Sequence, residues 1–127
     1  MTLTIKKTRT RIERETTEVE LTVPTQWGMF SDKGNKRISQ IAQKAYDSIA
    51  SLCAGGRPYP SAVRVVLLEF LMEWVKLWRT KTYGEASDTD VREQVGNFHD
   101  SLWYAAGMDG EAPWEEHYDE AQMRVRR

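Results

Sequence analysis

The stretch from Ala62 to Trp78 constrains this chain more than any other part of it. Val63, Val66, Leu67, Phe70, Leu71, Trp74, Val75 and Trp78 fall on one broad helical face. The polar strip left over, Glu69, Glu73 and Lys76, is one helical side wide. A helix that is apolar nearly all round has to be covered by other elements. The charges at Arg64, Glu69, Glu73 and Lys76, and a length short of the ~20 apolar residues a bilayer span needs, exclude a membrane helix. Pro60 suits a first helical position because its missing N–H is not needed there. The pattern predicts a central helix from Ser61 to about Lys81.

The covering elements are visible on both sides of it. Ile38, Ile41, Ala45, Ile49 and Leu52 recur at three and four residues, and Gly55-Gly56 supplies a left-handed stop. A third helix is predicted from Ser87 or Asp88, where Ser87 and Asp90 have capping-pair spacing, through Val91, Val95, Phe98, Leu102 and Ala105 to Gly107. A short fourth helix follows Pro113 and runs to about Met123, with Trp114, Tyr118 and Ala121 able to pack back on the bundle.

Before the helices, residues 2 to 23 are rich in Thr and β-branched side chains and hold no Gly or Pro. Val19, Leu21 and Val23 alternate with Glu18, Glu20 and Thr22, the period of a strand with one buried face. Two antiparallel strands are expected, about 2 to 11 and 17 to 23, turning near Arg14 to Thr16. The expected fold class is therefore α+β: an N-terminal antiparallel hairpin followed by three main helices and a short C-terminal one. At 127 residues this makes one domain, 1–127, with an arm over 1–24 and a bundle over 35–123.

Charge is unevenly distributed. Residues 1–64 carry a net +5 and residues 65–127 a net -6, so the total of -1 conceals a polar molecule. Such a field orients a partner, or a second copy of the chain. Lys6, Lys7, Arg9 and Arg11 on a strand, with Lys36, Arg37 and Lys44 leading into the first helix, form a candidate phosphate-contacting row. Glu13, Glu15, Glu18 and Glu20 follow at once, and the sequence pI of about 6.1 is low for a dedicated nucleic-acid domain. Nucleic acid is therefore the alternative partner, not the first.

Aromatic side chains at loops and helix ends supply a second candidate surface: Trp27, Phe30, Tyr59, Trp103 and Trp114. Trp and Tyr give large, rigid contact area with a polar handle, which favours them as binding anchors. Trp27→Ala and Trp114→Ala are then expected to weaken a complex and leave folding intact. The plainer reading is that they fill a small core.

Catalytic patterns are weak. His117 and Glu120 share a helix face, and His99 would join them if the third and fourth helices pack together, but acidic helices more often carry histidine on a solvated surface. Cys53, the only cysteine, sits at a helix C-terminus, where the dipole raises a thiol pKa. No phosphate loop, Gly-x-Ser-x-Gly or Cys-x-x-Cys occurs. The reading is a small non-enzymatic accessory or regulatory protein that binds a protein partner or itself, with no cofactor and no metal. The charged N-terminus lacks a secretory apolar stretch. The expected setting is the cytoplasm, with no membrane partner.

Overall fold

The computed structural model describes residues 2–8, 16–28, 31–81 and 91–125, with side chains described from Leu21 onward. Two strand segments, β1 (Thr2–Thr8) and β2 (Thr16–Thr22), precede α1 (Asp32–Ala54) and α2 (Pro60–Thr80). A six-residue π-helical stretch, Val91–Gly96, then runs directly into α3 (Asn97–Ala105), and α4 (Trp114–Val125) follows. The expected turn at Arg14 to Thr16 and the expected helix start at Ser87 or Asp88 fall largely or wholly outside the described residues.

The α+β class, with an N-terminal hairpin as one of its parts, is corrected to a mainly helical one. Of the residues described with side chains 76% are helical, and the strand among them is two residues long, Leu21 and Thr22, with no sheet. The backbones of β1 and β2 run antiparallel, Thr2 opposite Thr22, but two strands enclose no interior of their own. The described core takes a single strand residue, Leu21, and is otherwise built by helices, by Trp27, and by Ala106 and Met108 just beyond α3. The alternation through Val19, Leu21 and Val23 is a real strand period, yet it is too short to furnish a second layer.

The central helix forms where the apolar girdle predicts it. Pro60 is its first residue, and Val63, Leu67, Leu68, Phe70, Leu71, Trp74 and Val75 are all buried. Helix α1 starts at Ser31, whose hydroxyl accepts the Gly34 N–H at 3.0 Å. It lays Ile38, Ile41, Ala45 and Ile49 against the flank of α2 that carries Val66 and Phe70. Helix α4 takes a different flank: Tyr118 lies 6.2 Å from Trp74, Arg64 pairs with Glu120, and Arg79 donates to the Gln122 carbonyl at 3.1 Å. Helix α3 closes the remaining side with Phe98 and Leu102.

Trp27 ties the incoming chain to all three inner helices. It has no exposed surface; its ring stands edge-on to Phe98 at 5.5 Å and tilted to Phe70 at 6.5 Å. Every polar group it brings inside is satisfied. The backbone N–H donates to Asn35 Oδ1 at 2.6 Å, and the indole N–H donates to the Pro24 carbonyl at 3.0 Å and to Ser39 Oγ at 2.9 Å. The Ser39 hydroxyl in turn donates to Pro24 at 2.7 Å. Trp27 is thus a core residue and not a binding anchor, which reverses the expectation for its alanine variant. Trp27→Ala is expected to cost about 3–5 kcal/mol, measured as the shift of a urea unfolding midpoint. Tyr59→Ala, at an 81% exposed position, is expected to stay within about 0.5 kcal/mol of the parent.

Candidate functional site: a buried histidine pair

The two histidines of the chain meet inside it. On α3, His99 continues the buried stripe Val95, His99, Leu102, Ala106; on α4, His117 continues Trp114, His117, Ala121. Where these stripes face one another, His99 Nε2 and His117 Nδ1 lie 2.8 Å apart, with the rings near perpendicular. His99 is wholly buried and His117 is 2% exposed. Trp114 packs edge-on against His99 at 5.5 Å and Trp103 against His117 at 6.0 Å.

The proton positions follow from the far end of the chain of contacts. Asp100 Oδ1 lies 2.8 Å from His99 Nδ1, and a carboxylate only accepts, so Nδ1 of His99 carries the hydrogen. Its Nε2 is then a lone pair, which accepts the Nδ1–H of His117. That leaves the outer nitrogen of His117, Nε2, as the basic end of an Asp–His–His relay. Arg92 closes the other end, 3.4 Å from Asp100 and 5.4 Å over the Trp114 ring. Arg92 reaches there across Gly96, where a Cβ would collide with its guanidinium, in the π-helical stretch. Extra-residue turns of this kind re-aim side chains and are frequent at functional sites.

Burial holds both rings neutral. It pushes the His99 pKa down, opposed by the hydrogen bond and charge of Asp100. It pushes His117 down to about 4, helped by the charges of His99 and Arg64 and opposed by Glu120. The sequence favours a solvated surface for these histidines, with metal binding beside Glu120 as the remote option, and the burial of both rings overturns the first. The structure does bring them together, but the two facing nitrogens share a hydrogen at 2.8 Å, closer than two nitrogens each about 2.0–2.1 Å from a zinc ion would stand. Glu120 faces Arg64 and Arg124 instead. Among the described residues no group of three or more His, Cys, Asp or Glu is placed to hold a metal.

The aromatic residues proposed for partner binding do not form one patch. Trp27 is core, Trp114 is 8% exposed, Trp103 is half-buried and Phe30 lies outside the described residues. Trp114 stacks on Tyr118 at 4.7 Å, so the Trp114→Ala expectation also reverses towards a folding defect. Of the four that are described, Tyr59 alone stands clear, 81% exposed between Pro58 and Pro60. Its φ of -69° and ψ of 141° are polyproline values. Beside this turn the exposed Arg57 pairs with Asp109 at 2.9 Å.

The proposed phosphate row is likewise divided. Arg9 and Arg11 lie outside the described residues, and Lys6 and Lys7 are described as backbone only. Lys36, Arg37 and Lys44 are exposed on α1, with Arg37 4.0 Å from Glu73. No helix among the described residues is long and apolar enough to cross a membrane. No protein-family model, curated protein or solved structure matches the chain.

The pair makes stability depend on pH with a definite sign. An unfolded histidine titrates near 6.5 and a folded His117 near 4. Above pH 6.5 both states are neutral; as pH falls, the unfolded chain binds the proton first, so stability drops between about pH 6.5 and 4. At about 1.36 kcal/mol per pH unit, the loss from His117 alone reaches about 3 kcal/mol by pH 4. Urea midpoints measured from pH 7.5 to pH 4 should fall steadily in that window, and a flat profile would contradict the buried neutral pair.

Proposed function

We propose that this chain is a small non-enzymatic accessory protein of the cytoplasm that acts by binding another macromolecule. The reading is carried by the placement of charge around α2. Helix α1 on one flank exposes Lys33, Lys36, Arg37 and Lys44; helix α4 on another exposes Glu115, Glu116 and Asp119. Allowing for the exposed Asp32 and Asp47 on α1 and Arg124 on α4, the first helix keeps a net positive and the last a net negative exposed face, on different flanks of the apolar helix. Opposite fields on two flanks fix the orientation of an incoming surface and speed its encounter more than they add affinity.

Tyr59 adds an anchor to this charged frame. It is a large aromatic side chain on a backbone that two prolines already restrict, so little conformational freedom is lost when a partner covers it.

A photo-crosslinking amino acid at position 59, introduced into the full chain in cells that express it, tests this reading. A discrete macromolecular adduct that disappears when Lys36, Arg37 and Lys44 are changed together to Glu is the expected outcome. Absence of any adduct, or one indifferent to those charges, counts against it. Binding of a short labelled duplex by the purified chain, weakening steeply with salt and lost in the same triple variant, would favour the nucleic-acid alternative through α1.

A further inference from the structure

We infer that the His99–His117 contact is a proton-operated latch that holds α4 on the rest of the fold and releases it when both rings are protonated. The first support is the geometry of the bond itself. With both rings neutral, the Nδ1–H of His117 donates to His99 Nε2 across 2.8 Å. One added proton is tolerated: His99 becomes the donor to His117 Nδ1, with Asp100 still accepting from its other nitrogen. A second proton is not, because two N–H groups then face each other across the same gap inside the core, each carrying charge.

The second support is how α4 is attached. It follows a connection with two left-handed glycines, Gly107 at φ 78° and Gly110 at φ 79°, which is pinned to α3 by the Gly107 and Met108 N–H groups and the buried Met108 side chain, so α4 can lift only beyond Met108. Beyond the imidazole pair, α4 is held by Tyr118 on Trp74, by Trp114 stacked on Tyr118 and packed on His99 under Arg92, by Ala121 and Val125 on the core, and by surface-side contacts from Arg64 and Arg79. The indole N–H groups of Trp74 and Trp103 are buried without a partner among the described residues. Both indoles lie against α4 side chains, Trp74 against Tyr118 and Trp103 against His117, so lifting the helix would let these donors meet water.

The charged groups around the pair come from every element packed on it. Arg64 from α2 and Arg92 from the π-helical stretch oppose protonation; Asp100 from α3 and Glu120 from α4 favour it. The carboxylates do not cancel the effect of burial, so the ordinary value is recovered only when the helix lifts. At pH 5 a lifted α4, with His117 titrating near 6.5, is favoured over the closed form by roughly 20-fold more than at neutral pH. Release exposes Trp74 and Trp103 as an apolar face available to a partner under acidic conditions alone.

Native-state hydrogen exchange of the full chain at pH 7.5 and pH 5, corrected for the intrinsic pH dependence of exchange, tests the latch. Protection over Trp114–Val125 is expected to drop at least tenfold and to stay below that over Asp32–Ala54 at both pH values, with a weaker dependence on added urea, the mark of an opening smaller than global unfolding. His117→Asn places an amide donor where Nδ1 stood but cannot titrate, and should largely remove the pH response. Equal protection and equal urea dependence in the two helices would show that α4 leaves only in global unfolding and would overturn the latch. So would an α4 indifferent to pH, or a full response surviving in His117→Asn.

Discussion

A helix as apolar as α2 sets the terms for the rest of the molecule. It cannot present its girdle to water, and a chain of this size has few elements with which to cover it. Helix α1 takes the flank bearing Val66 and Phe70, α4 the flank bearing Trp74, and α3 packs Phe98 and Leu102 into what remains. The incoming chain is drawn in as well, because Trp27 packs against the touching rings of Phe70 and Phe98. The strand pair, by contrast, covers little of α2, which is why it does not define the class.

Covering α2 from different flanks also explains the electrostatics. The N-terminal half of the chain is basic and the C-terminal half acidic, and α2 lies between the helix that carries much of one charge and the helix that carries much of the other. Had α1 and α4 packed directly together, Lys36, Arg37 and Lys44 would have met Glu115, Glu116 and Asp119 within the fold and been neutralised there. Separated, the two sets remain available to an outside surface. The Arg37–Glu73 and Lys76–Glu73 contacts on α2 are exposed and long, 4.0 and 3.6 Å, and screen this only slightly.

The helices were legible because periodicity reports burial directly: Ile38, Ile41, Ala45 and Ile49 on α1 are inside as their spacing demands, and so are Val63, Leu67, Phe70, Leu71, Trp74 and Val75 on α2, with Val66 and Trp78 half-buried at the edges of the stripe. The class was misjudged because alternation shows that a strand can form, not that it supplies a layer. Trp27 was misplaced because a loop position says nothing about whether the loop folds inward, and Asn35 and Ser39, which receive its donors, lie 8 and 12 residues away. The histidine pair left a signal that went unused. His99 stands four residues after Val95 and three before Leu102, and His117 three after Trp114 and four before Ala121, so each occupies a core position of its own stripe. What the sequence withholds is that the two stripes face each other, and that Arg92 and Asp100 complete the network across a turn whose π-helical winding no periodicity announces.

A neutral imidazole pair is a poor choice if stability is the only demand. Two apolar side chains of similar shape would remove both the desolvation cost and the need for a hydrogen bond, and such replacements are often neutral or stabilising. A polar pair in that place gives a bond that only one pairing of donor and acceptor satisfies, which fixes the register of α4 on α3. It also gives a contact whose strength falls as the surroundings become acidic. Register alone could be had from a pair of amides, which do not titrate. The placement of histidine, under a helix hung from two left-handed glycines and flanked by one arginine and one carboxylate on each side, supplies the additional property that amides lack.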